Sequence, residues 1–288
     1  MAGDFGFPAG EWTRQLVRHA LAEDVGPGDA TTSITVTEDR LIEAVVTSRE
    51  EGVIAGLPVA EILFAELGAA VSLETRRPDG SPVAPGDVVS VLRGAAAAIL
   101  TGERILLNFL QQLSGIASLT ARYVAQVAGT RCQVLDTRKT LPGYRHLAKY
   151  AVRCGGGHNH RMGLYDRIML KDNHWATGDG AVAELVRRGR ERYPDLAIEV
   201  EVDTLAQLEQ VLPLGVEWIM LDNFSHGETR EAVALRDASG ATSKLESSGN
   251  VNLDTLRGYA LAGVDAASVG RLTHSVRALD LGLDMDAG

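Results

Sequence analysis

The segment from Asp136 to His174 concentrates residues that could act on an anionic molecule. It carries eight of the chain's 28 Lys and Arg residues and four of its seven His residues, against three acidic residues. The whole chain has a formal net charge of −10, so this segment is a cationic region in an acidic protein. Clustered positive charges repel one another unless an anion neutralises them, and they steer anions in from solution. The segment therefore predicts a binding site for a strongly anionic ligand.

Four cations of this segment are the candidates for anion binding. Arg138 and Arg161 can each grip a carboxylate or phosphate through two parallel hydrogen bonds. Lys139 and Lys171 act as point charges instead. A single arginine after a strand is usually a surface residue, but four cations that follow strands within one segment favour a shared ligand site.

A glycine run and two alternating histidines lie between these cations. Gly155, Gly156 and Gly157 allow a sharp turn and offer backbone N–H groups to an anion, although Gly155 could equally end a helix. His158 and His160 alternate, so we expect one of them to face the site. Zinc binding would need further ligands at a suitable spacing, and none is convincing.

Two carboxylates end consecutive predicted strands. Glu201 and Asp222 could hold Mg²⁺ and, through it, a diphosphate, or could stabilise positive charge that forms on a sugar carbon. Glu199 and Asp203 alternate with Glu201, so the spacing alone does not rank the three.

Two Ser/Gly turns follow the last two predicted strands. One contains Ser248 and Gly249, and the other contains Ser268 and Gly270. Barrels often bind phosphate at this late pair of loops through backbone N–H groups. Two ordinary strand-to-helix turns are the alternative.

The elements that must position these residues are parallel strands. Short apolar segments alternate with helical stretches beyond Arg131, which indicates βαβ units. The predicted strands lie in CQVLDTRK, DRIMLKDNH, AIEVEVD, EWIMLDNF, TSKLESSG and VDAASVG. Every one ends in polar residues, which favours a barrel over a doubly wound sheet because barrel chemistry collects at the carboxyl ends of the strands. The polar ends are Asp136-Thr137-Arg138-Lys139, Lys171-Asp172-Asn173, Glu201, Asp222-Asn223, Glu246-Ser247-Ser248-Gly249 and Ser268-Val269-Gly270.

The first third of the chain is predicted to be architectural. It mixes locally paired strands with one or two helices and contains no glycine loop of the phosphate-binding type. The stretch EDVGPGDATTSI is predicted as a loop, and a helix is predicted from Ala95 to Val127 with a break near Ser114 and Gly115. Arg104 lies beside the apolar stripe of that helix, and a solvated arginine is its simpler interpretation.

Bulk properties narrow the class of protein. The acidic pI near 5.2 argues against a general nucleic-acid or membrane-surface binder. Cys132 and Cys154 have no zinc-type spacing, and free thiols in a reducing cytoplasm are the simpler interpretation. No apolar run approaches ~20 residues, and the N-terminus lacks the pattern of a signal peptide.

The central motif from Asp136 to His174 resembles that of the quinolinate phosphoribosyltransferase family. GERILLNFLQQLSGIAS before it, and EVEVD, LDNF, ESSGN and SVGRLTHS after it, extend the similarity from EDVGPGDATTSI to LDLGLDM. The resemblance implies an α/β protein with an N-terminal α/β sandwich domain over residues 1–115 and an incomplete, open α/β TIM-like barrel over residues 116–288. It leaves open whether the last residues pack back on the first domain.

This resemblance implies an enzyme of de novo NAD biosynthesis. Such an enzyme transfers phosphoribosyl from 5-phosphoribosyl 1-pyrophosphate to quinolinate in the presence of Mg²⁺, and releases nicotinate mononucleotide, pyrophosphate and CO₂. It further implies a homodimer in which Arg104 completes the partner's site, against the simpler interpretation of that residue. Assembly of dimers into hexamers is left open.

The resemblance also assigns expected roles to individual residues. The positions expected to hold quinolinate or to line its pocket are Arg138, His160, Arg161 and Lys171, and Thr137 is also expected to bind substrate. Lys139 is expected near the diphosphate, and Glu201 and Asp222 at the ribose and at Mg²⁺, directly or through the diphosphate. The positions expected at the phosphate are Ser248, Gly249, Ser268 and Gly270. The expected catalytic residues are Lys139, Lys171, Glu201 and Asp222.

Other functions stay open on residues alone. Lys171 at a barrel strand end could form a Schiff base in an aldolase-like lyase. A non-catalytic sensor of a phosphoribosyl ligand is a further alternative, and nicotinate could replace quinolinate as the acceptor. Arg271 is bulkier than the small residue that the family resemblance leads us to expect, which leaves the detail of its loop open.

Overall fold

The structure is a computed structural model that describes residues 6–37, 40–171, 174 and 181–285. The chain divides into two compact units, each with its own sheet. The first unit comprises Met1–Ala121, Thr140–Gly156 and Leu272–Gly288, and the second comprises Arg122–Lys139 and Gly157–Arg271. Among the helices of the described residues, none combines the length and hydropathy that crossing a membrane requires.

The helices and strands are numbered in chain order over the described residues. The helices are α1 (Glu11–Val25), α2 (Ala30–Thr35), α3 (Val59–Glu66), α4 (Ala96–Gln126), α5 (Arg145–Cys154), α6 (Val182–Arg192), α7 (Leu205–Val211), α8 (His226–Ser239), α9 (Leu256–Ala262) and α10 (Arg271–His274), with a 3₁₀ turn at Leu212–Leu214. The strands are β1 (Leu41–Ser48), β2 (Gly52–Val53), β3 (Val71–Thr75), β4 (Pro82–Val83), β5 (Val88–Ala95), β6 (Gln133–Leu135), β7 (Ile168–Leu170), β8 (Ile198–Val202), β9 (Trp218–Asp222), β10 (Lys244–Ser248), β11 (Ala266–Ser268) and β12 (Leu281–Met285).

The first unit is built on a four-stranded antiparallel sheet in the order β12-β1-β5-β3. Its edge strand β12 comes from the end of the chain and pairs Met285 with Ala44 and Leu281 with Ser48. A separate pair, β2 and β4, completes the strands of this unit. The unit also includes α5, which the sequence analysis assigned to the second domain, and the division of the chain at residue 115 stays a prediction.

The predicted break in the long helix is wrong. Helix α4 is one continuous element, and Gly115 lies within it. A Cβ at Gly115 would lie 3.1 Å from the Cα of Ala278 and would also overlap the carbonyl oxygen of Arg277. The glycine therefore permits close packing of another backbone segment, rather than ending the helix.

The predicted loop EDVGPGDATTSI contains a short helix, α2. Asp29 caps it, since its carboxylate accepts hydrogen bonds from the backbone N (2.9 Å) and the hydroxyl (2.6 Å) of Thr32. A capping aspartate satisfies the free N–H groups of a first turn, and this local bond outweighs the weak helix propensity of the hydroxyl residues.

The second unit is a six-stranded parallel sheet in the order β6-β11-β10-β9-β8-β7. The six strands predicted from the apolar segments are confirmed, and so is the α/β class with a parallel C-terminal sheet. In the part of the chain that the structure describes, β6 and β7 do not pair with each other, so the sheet stays open between them. Helices α6 to α9 follow the strands as predicted, and capping boxes at Thr204 and Ser225 begin α7 and α8.

Candidate active site

A cavity of about 320 Å³ lies at the carboxyl ends of the second unit's strands. Parallel strands bring their carboxyl ends to one edge, so side chains distant in sequence meet there. All six strands, or the residues that directly follow them, contribute to the wall. The lining residues are Thr137, Arg138, Lys139, His160, Arg161, Met169, Lys171, Glu201, Met220, Asp222, Ser248 and Ser268.

The four candidate cations all line this one cavity. Arg138 and Lys139 follow β6, Lys171 follows β7, and Arg161 lies on the connection between these strands. Arg161 is only 7% exposed, and burial, followed by the positive charge of Arg138, lowers the pKa of its guanidinium. The cavity therefore holds positive charges that repel one another, and a bound anion would relieve this repulsion.

One of these cations already has an anionic partner. The Nζ of Lys171 forms an ion pair with the Oε2 of Glu201, which is 8% exposed. The backbone N–H of Lys171 donates to the Nδ1 of His174 at 2.9 Å. Asp172 and Asn173, which were predicted at the same strand end, lie outside the described residues. The pair neutralises part of the charge and holds both side chains in one orientation.

The second predicted carboxylate, Asp222, lies at the end of β9 and is half-buried. Its Oδ2 accepts a hydrogen bond from the Nδ2 of Asn223 at 2.7 Å, and among the described residues it forms no ion pair. Mg²⁺ prefers oxygen ligands and is commonly bound by one or two carboxylates together with substrate phosphates. The carboxylates of Asp222 and Glu201 in one cavity fit this requirement, with Asp222 the more available of the two.

The turn after β10 has the backbone conformation of a tight loop. Gly249 has φ +80°, and Asn250 and, after β9, Asn223 also have positive φ, at 53° and 55°. A Cβ at Gly249 would lie 2.9 Å from the backbone N of Asn223 and would overlap its side chain. Gly249 therefore sits where two strand ends approach closely, next to the cavity residue Ser248.

Replacement of Gly249 by alanine is expected to destabilise the protein. The positive φ costs an alanine about 1 kcal/mol or more, and the overlap with Asn223 adds to this, so we expect a loss of at least about 2 kcal/mol. Gly240 is the matched control, because it has φ +70° but nothing within 4 Å of its Cβ position. Gly240→Ala should therefore cost only about 1 kcal/mol in urea unfolding. Equal losses for the two variants would contradict the overlap.

Three predicted site residues do not line the cavity. Gly249 and Gly270 lie directly next to its lining residues Ser248 and Ser268, with Gly270 immediately before α10. Arg104 belongs to the first unit, where it lies exposed on α4. Arg271 follows Gly270 as the first residue of α10 and is exposed.

Four residues predicted at the cavity mouth are buried instead and do not line it, namely Asp136, Glu246, Ser247 and Val269. Asp136 accepts hydrogen bonds from the Nδ2 of Asn159 at 2.6 Å and from the backbone N of His160 at 2.8 Å, so it fixes the connection that carries His160. Glu246 is fully buried because strand alternation places it one layer below Ser248. The strand ends were predicted from positions along the chain. Such positions do not show how deeply a side chain is buried beneath the cavity.

Glu199 is a further buried carboxyl group. The spacing along the chain did not decide which of Glu199, Glu201 and Asp203 belongs to the site. Its Oε2 lies 2.9 Å from the Nε2 of His160 and 3.3 Å from the Nη1 of Arg167. Burial acts to raise its pKa, but the hydrogen bond to His160 and the charge of Arg167 outweigh burial and lower it. The regular alternation of Glu199 with Glu201 was the available signal that both face the same side. No sequence pattern pointed to Met169 and Met220, the apolar residues of the wall.

Comparison with known proteins gives consistent results over nearly the whole chain. Residues 29–114 match the model of the quinolinate phosphoribosyl transferase N-terminal domain, and residues 116–284 match that of its C-terminal domain. The chain is 45% identical over 275 residues to nicotinate-nucleotide pyrophosphorylase [carboxylating] of Mycobacterium leprae, covering 94% of this chain and 96% of that protein. A probable enzyme of the same name from Bacillus subtilis is 40% identical, with 94% and 93% covered.

Solved structures agree with these similarities. The nicotinate-nucleotide pyrophosphorylase from Francisella tularensis superposes with a TM-score of 0.88 at 37% identity, covering 96% of each chain. NadC from Streptococcus pyogenes also superposes with a TM-score of 0.88, at 40% identity, covering 94% of this chain and 96% of that one. Both units of the fold described above therefore occur together in these relatives.

Proposed function

The chain belongs to the quinolinate phosphoribosyltransferase family, and we propose that its cavity performs that family's reaction. The enzyme transfers phosphoribosyl from 5-phosphoribosyl 1-pyrophosphate to quinolinate, and the product loses CO₂ to give nicotinate mononucleotide and pyrophosphate. This reaction belongs to NAD biosynthesis. The observation that supports the assignment best is the convergence of four cations and two carboxylates in one cavity.

The charges of the substrates suit this cavity. Quinolinate carries two adjacent carboxylates, and the donor carries a phosphate and a diphosphate. Arg138 and Arg161 would hold the carboxylates through paired hydrogen bonds, and Lys171 would add a third positive charge beside them. Thr137 and His160 belong to the same wall. A monocarboxylate such as nicotinate would leave part of this charge unmatched, which favours quinolinate as the acceptor.

The donor would occupy the other side of the wall. Lys139 would bind the diphosphate, while Ser248, Gly249, Ser268 and Gly270 would surround the 5-phosphate. Glu201 and Asp222 would face the ribose. As the bond from C1 to the diphosphate breaks, positive charge develops on the sugar, and these carboxylates would stabilise it.

The acceptor itself supplies the nucleophile. Its ring nitrogen forms the bond to C1 while the diphosphate leaves with the electron pair, so the residues need only align the two substrates. When CO₂ leaves, the electron pair of the C–CO₂ bond stays on the ring carbon, where the positive charge of the adjacent alkylated nitrogen stabilises it, and a proton then binds to that carbon. The Nζ of Lys171 is held in an ion pair with Glu201, which does not favour attack on a carbonyl and so argues against the Schiff-base lyase.

Mg²⁺ is part of the proposal. Asp222 would be its main protein ligand and Glu201 a second, directly or through the diphosphate. When bound, the ion neutralises charge on the leaving diphosphate.

The proposal also places the protein in the cytoplasm, because Cys132 and Cys154 are unpaired thiols, which suit a reducing compartment.

One assay separates these functions. The protein is mixed with Mg²⁺, the sugar donor and quinolinate labelled in the 2-carboxyl group, and CO₂, pyrophosphate and mononucleotide are measured together. Equal amounts of all three support the proposal. Binding without turnover would indicate a sensor. If nicotinate replaces quinolinate, mononucleotide formed without CO₂ would indicate the other acceptor. With a carbonyl substrate, a borohydride-trapped adduct on Lys171 would indicate the lyase.

We also propose a homodimer in which Arg104 of each subunit completes the other subunit's site. Its exposure on α4 leaves the guanidinium accessible to such a partner. Arg104→Ala is expected to lower kcat/KM about a hundredfold, as for loss of one charged contact in the transition state.

Mixed dimers provide the test. Heterodimers of Arg104→Ala and Lys171→Ala subunits, coexpressed with different tags, contain one site with both defects and one intact site. They should therefore show about half of the activity of the unchanged dimer. Heterodimers as inactive as both parents would show that Arg104 serves its own subunit.

A further inference from the structure

A second layer of acidic side chains lies directly beneath the cavity floor. Side chains alternate along a strand, so Glu199 on β8 shares a face with Glu201, and Glu246 on β10 shares a face with Ser248. Glu201 and Ser248 line the cavity, whereas Glu199 and Glu246 are each 0% exposed. Two buried carboxyls under an anion-binding cavity are costly, because a net negative charge there would repel the ligand.

His160 connects this layer to the cavity wall. Its Nδ1 accepts a hydrogen bond from the backbone N of Arg161 at 2.8 Å. A backbone N–H can only donate, so Nδ1 carries no proton and the ring proton is on Nε2. Nε2 lies 2.9 Å from the Oε2 of Glu199 and 3.5 Å from the Oε2 of Glu246. His160 is therefore held between a carboxyl below it and the backbone of Arg161 above it.

Glu246 differs from Glu199 in its surroundings. The Nη1 of Arg167 lies 3.3 Å from the Oε2 of Glu199, but among the described residues neither a lysine nor an arginine forms an ion pair with Glu246. Burial, followed by the negative charge of Glu199, raises the pKa of Glu246 well above its usual value. An ionised carboxylate left buried in this way would be strongly unfavourable, whereas a neutral acid costs much less.

We propose that Glu246 is kept as a neutral carboxylic acid and that, together with Glu199, it positions His160 and through it Arg161. The kinetic part of this inference rests on the proposed function, since Arg161 is assigned there to the dicarboxylate. The neutral acid fills the space beside the imidazole without adding negative charge below the anion site. Both glutamates are positioning residues, because they act through His160 and do not line the cavity.

A metal site is the competing explanation of this cluster. His160, Glu199 and Glu246 offer ligand atoms within 4.8 Å of one another. However, the Nη1 of Arg167 lies 3.3 Å from the Oε2 of Glu199 and 3.4 Å from the Nε2 of His160. A guanidinium at this position already supplies the positive charge and would repel a cation.

Infrared difference spectroscopy tests the protonation state without any substrate. The spectrum of the unchanged protein minus that of Glu246→Gln should contain the C=O stretching band of a neutral carboxylic acid at neutral pH, and this band should shift in D₂O. Glu43→Gln is the control, because Glu43 is exposed and paired with Arg93. That control should lose only carboxylate bands. Carboxylate bands alone in the Glu246→Gln difference would overturn the proposal, as would Zn²⁺ binding that depends on Glu246.

Kinetics test the positioning role. Glu246→Ala leaves His160 without one neighbour and should raise the KM for quinolinate about tenfold, with a smaller change in kcat, as expected for loss of an orienting contact. Glu246→Gln matches the neutral acid in shape and charge, so it should restore KM to within about threefold. Failure of Gln to rescue Ala would overturn the positioning role. An inactive unchanged protein with a clear acid band would instead contradict only the proposed function.

Discussion

Lys171→Ala is expected to lower kcat/KM for quinolinate by about a thousandfold, because it removes a transition-state charge and one ion-pair partner of a buried carboxylate. Because Lys171 is paired with Glu201, we expect a larger decrease in kcat/KM than the loss of a single unpaired cation would cause. Removal of Lys171 takes away a positive charge that lies between the Glu201 carboxylate and the anionic substrate. Steady-state kinetics with both substrates varied would measure the change, and circular dichroism would check the fold.

The partner variant makes this prediction specific. Glu201→Gln removes the negative charge of the pair. The loss of transition-state stabilisation in the double variant, calculated from kcat/KM, should therefore be much smaller than the sum of the losses in the two single variants. Lys244→Ala is the matched control, because Lys244 is exposed and lies 5.1 Å from the ring of Trp218, outside the cavity wall. Additive losses for Lys171 and Glu201 would contradict a functional ion pair, and near-normal rates for Lys171→Ala would count against its placement.

Asp222→Asn is expected to lower kcat by about two to three orders of magnitude and to raise the Mg²⁺ concentration needed for half-maximal rate. Asp222 is the carboxylate of the cavity that no cation neutralises among the described residues. The amide keeps the shape of the side chain but removes the charge that would face both the metal and the ribose. Mg²⁺ titrations at saturating substrates would measure both effects.

An exposed aspartate provides the control for Asp222. Asp195 lies before β8 and is exposed, so Asp195→Asn should leave the rate and the Mg²⁺ requirement unchanged. If Asp222→Asn lowered the rate with no change in the Mg²⁺ requirement, Asp222 would act on the sugar alone. The metal would then have to be held elsewhere, with Glu201 the remaining carboxylate of the cavity wall.

The parallel strands and their shared cavity were predictable because they follow from chain positions. Each apolar segment of the second unit ended in polar residues, and parallel pairing then brings those ends together. Lys171, Glu201 and Asp222 could be grouped on this basis alone. The resemblance to a family then added expected roles that periodicity does not contain.

Depth and packing were not predictable in the same way. Glu246 belongs to a polar strand end, yet the register of β10 places it below the cavity floor. Gly115 looked like a helix break, although its lack of a side chain serves contact with residues 276–278. Both predictions failed for the same reason. The burial of Glu246 and the packing of Gly115 depend on which residues distant in sequence contact them.

The pairing of β12 with β1 has a consequence for synthesis of the protein. Strand β1 lies near the start of the chain, and its partner contains Leu281 to Met285. A ribosome must therefore finish almost the entire chain before the N-terminal sheet can acquire this edge, and the closing loop is among the longest the chain allows. The first unit therefore cannot complete its sheet until Leu281 to Met285 have been synthesised, and until then β1 presents an unpaired edge to neighbouring nascent chains.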